Sequence, residues 1–234
     1  MTTPWGRKAA ALYDSSYAAV YRRHDDEIVD VEAYLGFARW LQRAGSGFGH
    51  AIDVLDLGCG TGRFFSAVPN VRSLVGIDAS AAMLERARHP LDAERLDVPP
   101  TLVHADFLAH EFGASQFDLI YSIGVLAEHT PLDEAIVAKV ARWLRPRGRF
   151  AFTTVHPDSP SIPRTMRRLV GRAVEPLARG PLRRGLRARL MSGGLYADEQ
   201  RVRDLLAAFR IESLERLTSE AHLHVLCVAE RIAG

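Results

Sequence analysis

Cysteine is scarce in this 234-residue chain, which has only Cys59 in a glycine-rich turn and Cys227 in an apolar run. Two cysteines placed in this way give no disulfide framework and no cysteine-rich metal cluster. No stretch approaches the roughly 18 consecutive apolar residues of a membrane-spanning helix. The opening MTTPWGRKAA also lacks the apolar centre of a secretory leader. We therefore expect a cytoplasmic protein.

The small net charge of +2 conceals a strongly basic segment. Nine arginines and a single acid, Glu175, lie between Arg164 and Arg189, so the rest of the chain is net acidic. Apolar residues and arginines occupy opposite faces at helical spacing in this segment, which predicts amphipathic helices. Such a surface is suited to contact with an anionic membrane or with nucleic acid.

Short β-branched runs alternate with helical stretches, as expected of a parallel sheet covered by helices. The predicted strands are 51–57, 73–78, 101–105, 117–123, 149–155, 211–218 and 222–231. The predicted helices in the same region are 63–67, 81–88, 132–144 (beginning after Thr130-Pro131) and 197–209. The last two strands are too close in sequence for a parallel crossover and must pair antiparallel. We predict an α/β fold, a doubly wound, seven-stranded, mostly parallel sheet with a C-terminal antiparallel hairpin and helices on both faces.

A turn with three glycines, Gly58, Gly60 and Gly62, directly follows the first predicted strand. Glycines allow positive φ angles and let a ligand approach the main chain. Dinucleotide-binding folds use G-x-G-x-x-G, whereas here the sixth position is Arg63. Asp56 would place negative charge near a pyrophosphate but suits a ligand with ammonium and sulfonium groups. These features disfavour a nicotinamide oxidoreductase, which remains an alternative.

The segment 56–62, DLGCGTG, resembles the first motif of the class I (Rossmann-like) S-adenosylmethionine-dependent methyltransferases of the small-molecule type. Later positions match in order: Asp78 ends the second strand, His104-Ala105-Asp106-Phe107 ends the third, and 117–124 matches the fourth. Leu144-Arg145-Pro146-Arg147-Gly148 resembles the family's L-x-P-G-G turn, with Arg147 where glycine is more common.

The resemblance implies S-adenosylmethionine as the cofactor, with Asp78 accepting the ribose hydroxyls and Asp106 accepting the adenine amino group. It also implies that a Y-D element such as Tyr13-Asp14 folds over the cofactor, and tyrosines four apart, Tyr13, Tyr17 and Tyr21, share a helical face. The same stripe would equally serve to pack a helix onto the core. The predicted cofactor-binding residues are Tyr13, Asp56, Gly58, Cys59, Gly60, Gly62, Asp78, Ala79, Met83, Asp106, Phe107, Ser122 and Ile123.

Candidates for a general base follow the fourth and fifth strands. His129 can titrate near neutral pH, with Glu128 orienting it, and His156 is a second candidate. The Glu128-His129 pair could instead cap the following helix. A metal site is a weaker alternative because no third ligand occurs at a recognisable spacing, so we predict none.

We predict one domain over residues 1–234, with an N-terminal helical cap (1–45) and an arginine-rich insert or lid (158–195). The resemblance implies a small-molecule acceptor, such as a natural-product intermediate, a sugar or a quinone precursor. No nucleic-acid partner is expected, because the chain lacks an N/D-P-P-[YF] motif after the fourth strand. Two alternatives remain: a lipid-linked or membrane-associated substrate reached through Arg164 to Arg189, and a cofactor-binding protein without catalysis.

Overall fold

The computed structural model describes residues 2–28, 31–159, 195–219 and 222–232. Its helices are α1 (Pro4–Leu12), α2 (Ser15–Ile28), α3 (Glu32–Ala44), α4 (Ala81–Ala87), α5 (Glu134–Trp143) and α6 (Glu199–Leu205). Its strands are β1 (Ile52–Leu57), β2 (Val71–Asp78), β3 (Thr101–His104), β4 (Phe117–Ser122), β5 (Leu144–Val155), β6 (Phe209–Ser219) and β7 (His222–Arg231). Short 3₁₀ helices cover Phe65–Ala67 and Ala93–Arg95.

The seven strands form one sheet in the order β3-β2-β1-β4-β5-β7-β6. Strands β1 to β5 pair in parallel, whereas β7 is antiparallel to both β5 and β6. The predicted fold is therefore confirmed, including the C-terminal hairpin. Because the chain order reverses between β1 and β4, a crevice opens there at the carboxyl ends of the strands.

The two faces of the sheet bury different side chains, as a doubly wound sheet requires. In β4, Leu119 and Tyr121 belong to a cluster with Trp40 of α3, while Ile120 belongs to a cluster with Trp143 of α5. Both tryptophans are almost fully buried. Successive strand residues thus contact opposite helical layers, and β4 is held rigidly beneath the crevice.

The helix predicted over 63–67 is wrong in type. The chain makes only a 3₁₀ turn over Phe65–Ala67, with the Phe65 amide donating to the Gly62 carbonyl (3.1 Å). Pro69 explains the early end, because the residue before a proline is pushed toward extended geometry. Val68 has φ −92° and ψ 123°.

Several predicted boundaries also shift, including those of α5, β5 and α6. Helix α5 begins at Glu134 because the Asp133 carboxylate, and not Thr130-Pro131, caps it by accepting from the Ala135 and Ile136 amides. Strand β5 begins at Leu144, five residues earlier than predicted, and continues through an irregularity in its pairing with β4. Helix α6 covers only Glu199–Leu205, after its cap residue Asp198.

The arginine-rich insert lies almost entirely outside the described residues, which omit 160–194. Its predicted helices and its predicted contact with an anionic membrane therefore stay predictions. In the described ranges, no helix is both long enough and apolar enough to cross a membrane.

A buried ion pair attaches α2 to the glycine-rich turn. The Asp25 carboxylate, fully buried, pairs with the Arg63 guanidinium and accepts a hydrogen bond from the Thr61 hydroxyl (2.5 Å). The Arg63 Cζ atom also lies 4.8 Å from the centroid of the Tyr21 ring, in a cation–π contact. Burial raises the pKa of Asp25, and Arg63 and Thr61 partly offset that rise. This buried ion pair therefore joins helix α2 to the glycine-rich turn.

Replacing Asp25 with alanine should lower the free energy of unfolding by about 3 kcal/mol, because it leaves a mostly buried guanidinium without a counter-charge. The measurement is urea unfolding followed by circular dichroism. Glu27 is an exposed acid on the same helix, so Glu27→Ala is the matched control and should change stability by less than about 0.5 kcal/mol. Equal effects of the two substitutions would contradict a stabilising role for the pair.

Arg147 adopts a left-handed backbone conformation, with φ 63°. A residue with a side chain is strained in this conformation by about 1 to 2 kcal/mol. Glycine avoids the strain, but its greater conformational entropy in the unfolded state cancels part of the gain. We expect Arg147→Gly to raise the free energy of unfolding by about 0.5 to 1 kcal/mol. Arg147→Ala keeps the Cβ and should give no gain; a glycine variant no more stable than the alanine variant would refute the explanation.

Candidate functional site

A deep cleft lies at the carboxyl ends of β1, β2 and β4, where the strand order reverses. It encloses about 860 Å³ of space, part of it open to solvent. Clefts of this size accommodate a small ligand or cofactor. Its wall is formed by Trp5, Gly6, Ala9, Tyr13, Tyr21, Asp56, Gly58, Cys59, Gly60, Thr61, Arg63, Phe64, Asp78, Ala79, Met83, Asp106, Phe107, Ile123, Gly124, Val125, His129 and Thr130.

The glycine-rich turn forms the floor of the cleft because two of its residues have no side chain. Gly58 has φ 77°, and a Cβ there would lie 2.7 Å from Val125. Gly60 has φ 55°, and a Cβ there would lie 3.3 Å from Met83. Larger residues would therefore be strained and would narrow the cleft.

The carboxylate of Asp78 can accept hydrogen bonds from a ligand in the cleft. One carboxylate oxygen accepts from the Gly60 amide (2.9 Å) and the other from the Ser80 amide (2.8 Å). Since each carboxylate oxygen has two lone pairs, one on each remains for a ligand. Burial raises the pKa of Asp78, and it raises the pKa of Asp56 even more strongly. Donors or positive charge on a ligand would offset this cost.

Asp106 stands two residues beyond β3 and contacts the N-terminus of α1. Its Oδ2 accepts from the Thr3 amide (2.7 Å) and the Thr3 hydroxyl (2.6 Å), and its Oδ1 accepts from the Leu108 amide (3.0 Å). Lys139 of α5 supports the loop that follows, because its ammonium group donates to the carbonyls of Phe107 (3.3 Å), Leu108 (2.7 Å) and His110 (2.7 Å).

An aromatic group formed by Tyr13, Tyr17, Tyr21 and His129 stands over the other end of the cleft. Tyr13 makes edge-to-face contacts with Tyr17 (5.1 Å between ring centroids), Tyr21 (6.4 Å) and His129 (5.8 Å). The Tyr13 carbonyl accepts from the Ser80 hydroxyl (2.5 Å). The predicted helical face shared by the three tyrosines is wrong for Tyr13, which follows α1, whereas Tyr17 and Tyr21 lie on α2. Tyr13 and Tyr21 line the cleft, and Tyr17 is exposed.

A tight loop after β4 presents His129 to the cleft. The Val125 carbonyl accepts from the amides of His129 (2.9 Å) and Thr130 (3.0 Å), and Ala127 has φ 56°. Burial lowers the pKa of His129, whereas it raises the pKa of Glu128 to about 7. The Glu128 Oε1 and His129 Nε2 atoms are 3.6 Å apart. Neither residue caps α5, so the alternative of a capping pair is wrong.

Four predicted site residues do not line the cleft. Gly62, with φ 76°, packs against Phe65, and Ser122 donates from its buried hydroxyl to the Leu57 carbonyl (2.9 Å). Glu128 lies beside His129 but is not among the residues that line the cleft. His156 lies in a separate surface depression beside Glu199, with its Nε2 3.4 Å from that carboxylate. The structure therefore does not bring His156 to the cleft that holds the other predicted site residues.

Sequence reasoning missed several residues that shape the cleft. Gly6 of α1 lines it, Thr3 at the N-cap of α1 contacts the cleft acid Asp106, and a Cβ on Gly6 would lie 2.3 Å from the Asp106 carboxylate. Asp25 of α2 pairs with the cleft residue Arg63, and Lys139 of α5 supports the loop after Asp106. A Thr-Pro pair before a helical run is a local signal for the Thr3 cap, but its contact with Asp106 spans 103 residues and has no local signal.

No group of three or more histidine, cysteine, aspartate or glutamate residues that could hold a metal ion occurs within the described ranges. Arg63 is the one lysine or arginine among the described residues that line the cleft. The remaining charged groups of the wall are Asp56, Asp78, Asp106 and, when protonated, His129. The cleft is therefore acidic.

Residues 54–148 match the protein-family model described as a methyltransferase domain. A sterol 24-C-methyltransferase of Debaryomyces hansenii is 33% identical over 104 residues, which cover 42% of this chain and 26% of that protein. A ubiquinone biosynthesis O-methyltransferase of Coxiella burnetii is 27% identical over 104 residues, which cover 44% of this chain and 43% of that protein. The matched segment thus spans about a quarter of the first relative and less than half of the second.

The fold is also that of known structures. The crystal structure of magnesium protoporphyrin IX methyltransferase (ChlM) from Synechocystis PCC 6803 with bound S-adenosylmethionine has a TM-score of 0.63 to this chain. It is 18% identical, and the alignment covers 98% of each chain. The match over residues 54–148 covers less than half of this chain; together with the sheet order it shows a segment similar to a methyltransferase domain within a fold shared with this methyltransferase structure.

Proposed function

We propose that this protein binds S-adenosylmethionine in the cleft and transfers its methyl group to a small-molecule acceptor. The observation that carries the proposal is the placement of three acids, Asp56, Asp78 and Asp106, around one glycine-rich floor. The same order of acids along β1, β2 and β3 underlies the family resemblance.

The cofactor's functional groups fit the cleft from one end to the other. Asp106 would accept from the adenine amino group, with Phe107 beside the ring. Asp78 keeps one lone pair on each oxygen for the two ribose hydroxyls. The buried Asp56 would face the ammonium and sulfonium charges, which would reduce the cost of its own ionisation. Gly58 and Gly60 leave room for the ligand against the main chain.

A dinucleotide fits this cleft poorly. Dinucleotide-binding folds direct the N-terminus of a helix at the pyrophosphate. Here the described chain makes only the 3₁₀ turn Phe65–Ala67 between β1 and β2. Arg63 is also held by Asp25 and is not available as a free counter-charge. The oxidoreductase alternative is thereby disfavoured.

When bound, S-adenosylmethionine supplies an electrophilic methyl group, whose bond to sulfur breaks as the acceptor's lone pair forms the new bond to carbon. The protein's tasks are to align the acceptor, exclude water and remove a proton. His129 is at the cleft wall and neutral at physiological pH, since burial lowers its pKa. It would accept the acceptor's proton, and an ionised Glu128 would then stabilise the imidazolium.

A small acceptor suits the aromatic walls of the cleft. Trp5, Tyr13, Tyr21 and Phe64 present flat apolar surfaces, which favour a ring-containing molecule. The names of the relatives refer to a sterol, to ubiquinone biosynthesis and to magnesium protoporphyrin IX. These names support a low-molecular-weight acceptor. No nucleic-acid acceptor is proposed. A membrane-associated acceptor, reached through Arg164 to Arg189, stays an alternative based on sequence.

Replacing Asp78 with alanine should weaken binding of S-adenosylmethionine and S-adenosylhomocysteine by about 10- to 100-fold, because buried hydrogen-bond donors of the ribose lose their acceptor. Isothermal titration calorimetry measures both ligands. Glu85→Ala removes an exposed acid of α4 outside the cleft and is the control. Unchanged affinity in the Asp78 variant would remove it from the ribose site. A wild-type protein that binds neither ligand would overturn the proposed function.

The raised pKa of Glu128 predicts a pH dependence. Below a pH of about 7 Glu128 is protonated in the folded protein and cannot stabilise a positively charged His129. We expect kcat/KM to rise with pH and to level off above about 7. The assay follows S-adenosylhomocysteine formation with an acceptor found in a metabolite panel. Glu128→Gln should remove this inflection, and retention of the inflection would exclude Glu128 as its source.

An acceptor-free measurement tests the same ionisation. The pKa of Glu128 is about 7 in the folded protein, above the ordinary value of 4.5. Its contribution to the free energy of unfolding is therefore fully present below about pH 4.5 and is lost as pH rises through about 7. Glu128→Gln stays neutral, so it should gain stability relative to wild type between pH 5 and 8. A constant difference over this range would show that Glu128 titrates at an ordinary pKa.

A further inference from the structure

We propose that Thr3 is a positioning residue for adenine recognition, acting through the carboxylate of Asp106. This role rests on the proposed function, because it concerns how the cleft binds the adenine end of S-adenosylmethionine. It assigns a specific task to the N-terminus of α1, more than 100 residues away in sequence from the acid that it contacts.

The geometry at Thr3 orients Asp106 tightly. The Thr3 amide and hydroxyl both donate to Oδ2, at 2.7 and 2.6 Å, and the Leu108 amide donates to Oδ1 at 3.0 Å. A carboxylate has about four lone-pair sites, so three are occupied and one on Oδ1 is left. Thr3 thereby fixes the rotation of the carboxylate and leaves Oδ1 as the acceptor for an amino group.

Thr3 is itself fixed by its place in α1. It is the N-cap residue, and its hydroxyl oxygen accepts from the Gly6 amide (3.1 Å) while its hydrogen is donated to Asp106. Gly6 packs so closely on Asp106 that a Cβ would lie 2.3 Å from its Oδ2 atom and 2.8 Å from its Cβ. At the other end of the helix, the Tyr13 carbonyl accepts from the Ser80 hydroxyl. Helix α1 is therefore held at both ends over the adenine and ribose acids.

A purely structural role would make a different prediction from a positioning role. If Thr3 only caps α1, its loss weakens all ligands of the cleft alike, because the helix frays. If Thr3 orients Asp106, its loss weakens only ligands that donate a hydrogen bond to Oδ1. Two ligands that differ only at the adenine amino group separate these cases.

The test measures binding by calorimetry of S-adenosylhomocysteine and of its analogue in which hydrogen replaces the 6-amino group. Thr3→Val should weaken binding of S-adenosylhomocysteine by about tenfold, the scale of one hydrogen bond to a charged group, and leave the analogue within about twofold. Thr3→Ser retains the hydroxyl and should restore the affinity. Thr2→Val is the matched control, since the Thr2 side chain is exposed, and should behave as wild type.

Gly6→Ala gives a second variant that retains the hydroxyl but pushes α1 away from Asp106. Because α1 also supplies Trp5 and Ala9 to the cleft wall, Gly6→Ala should weaken both ligands, in contrast to the selective loss with Thr3→Val, and circular dichroism should confirm that both variants fold. For Thr3→Val, equal weakening of both ligands, unchanged affinity, or tighter binding of S-adenosylhomocysteine would each overturn the positioning role. Tighter binding would mean that Thr3 competes with adenine. Loss of binding already in the wild type would overturn the proposed function instead.

Discussion

Three carboxylates brought together at one edge of a parallel sheet are the constraint on which the cleft depends. Asp56, Asp78 and Asp106 all lie at or just beyond the carboxyl ends of neighbouring strands, and Asp56 and Asp106 are buried. Burial of a carboxylate is costly unless donors or positive charge offset it. The protein supplies some donors from the glycine-rich turn, from Ser80 and from Thr3. The hydrogen-bonding capacity that these donors leave unfilled would favour a ligand rich in donors and positive charge.

Arg63 shows how one departure from a dinucleotide-binding pattern changes the surrounding structure. In the dinucleotide pattern this position carries no such charge and a helix begins nearby. Here the guanidinium is neutralised by Asp25 of α2 and covered by Tyr21, and the described chain forms only a 3₁₀ turn, not an α-helix, between β1 and β2. The charge therefore serves to join the N-terminal helices to the turn. The acidic character of the cleft follows, because its one lysine or arginine in the described wall is already paired.

The elements that local sequence specifies were predictable, and those that depend on distant contacts were not. Buried apolar runs predicted the strands that end at Leu57 and Asp78, since hydrophobic pattern and turn residues are local signals. The roles of Asp78 and Asp106 were implied by the family resemblance. The predicted helix after Gly62 failed because Pro69 leaves too few residues for more than a 3₁₀ turn. His156 follows β5 as predicted, yet it faces Glu199 and not the cleft. Thr3, Asp25 and Lys139 carry no local sign of their contacts.

Because helices α1 and α2 supply walls as well as supports, docking of these helices and binding of a ligand are thermodynamically linked. A ligand that fills the cleft gains contacts with Trp5, Tyr13 and Tyr21 only while α1 and α2 are docked. By reciprocity, the ligand then stabilises the docked helices by the same free energy. Tyr13 also contacts His129, so the docked state places the proposed base and the three carboxylates around the same cleft. Ligand binding and docking of the two helices are in this way parts of a single equilibrium.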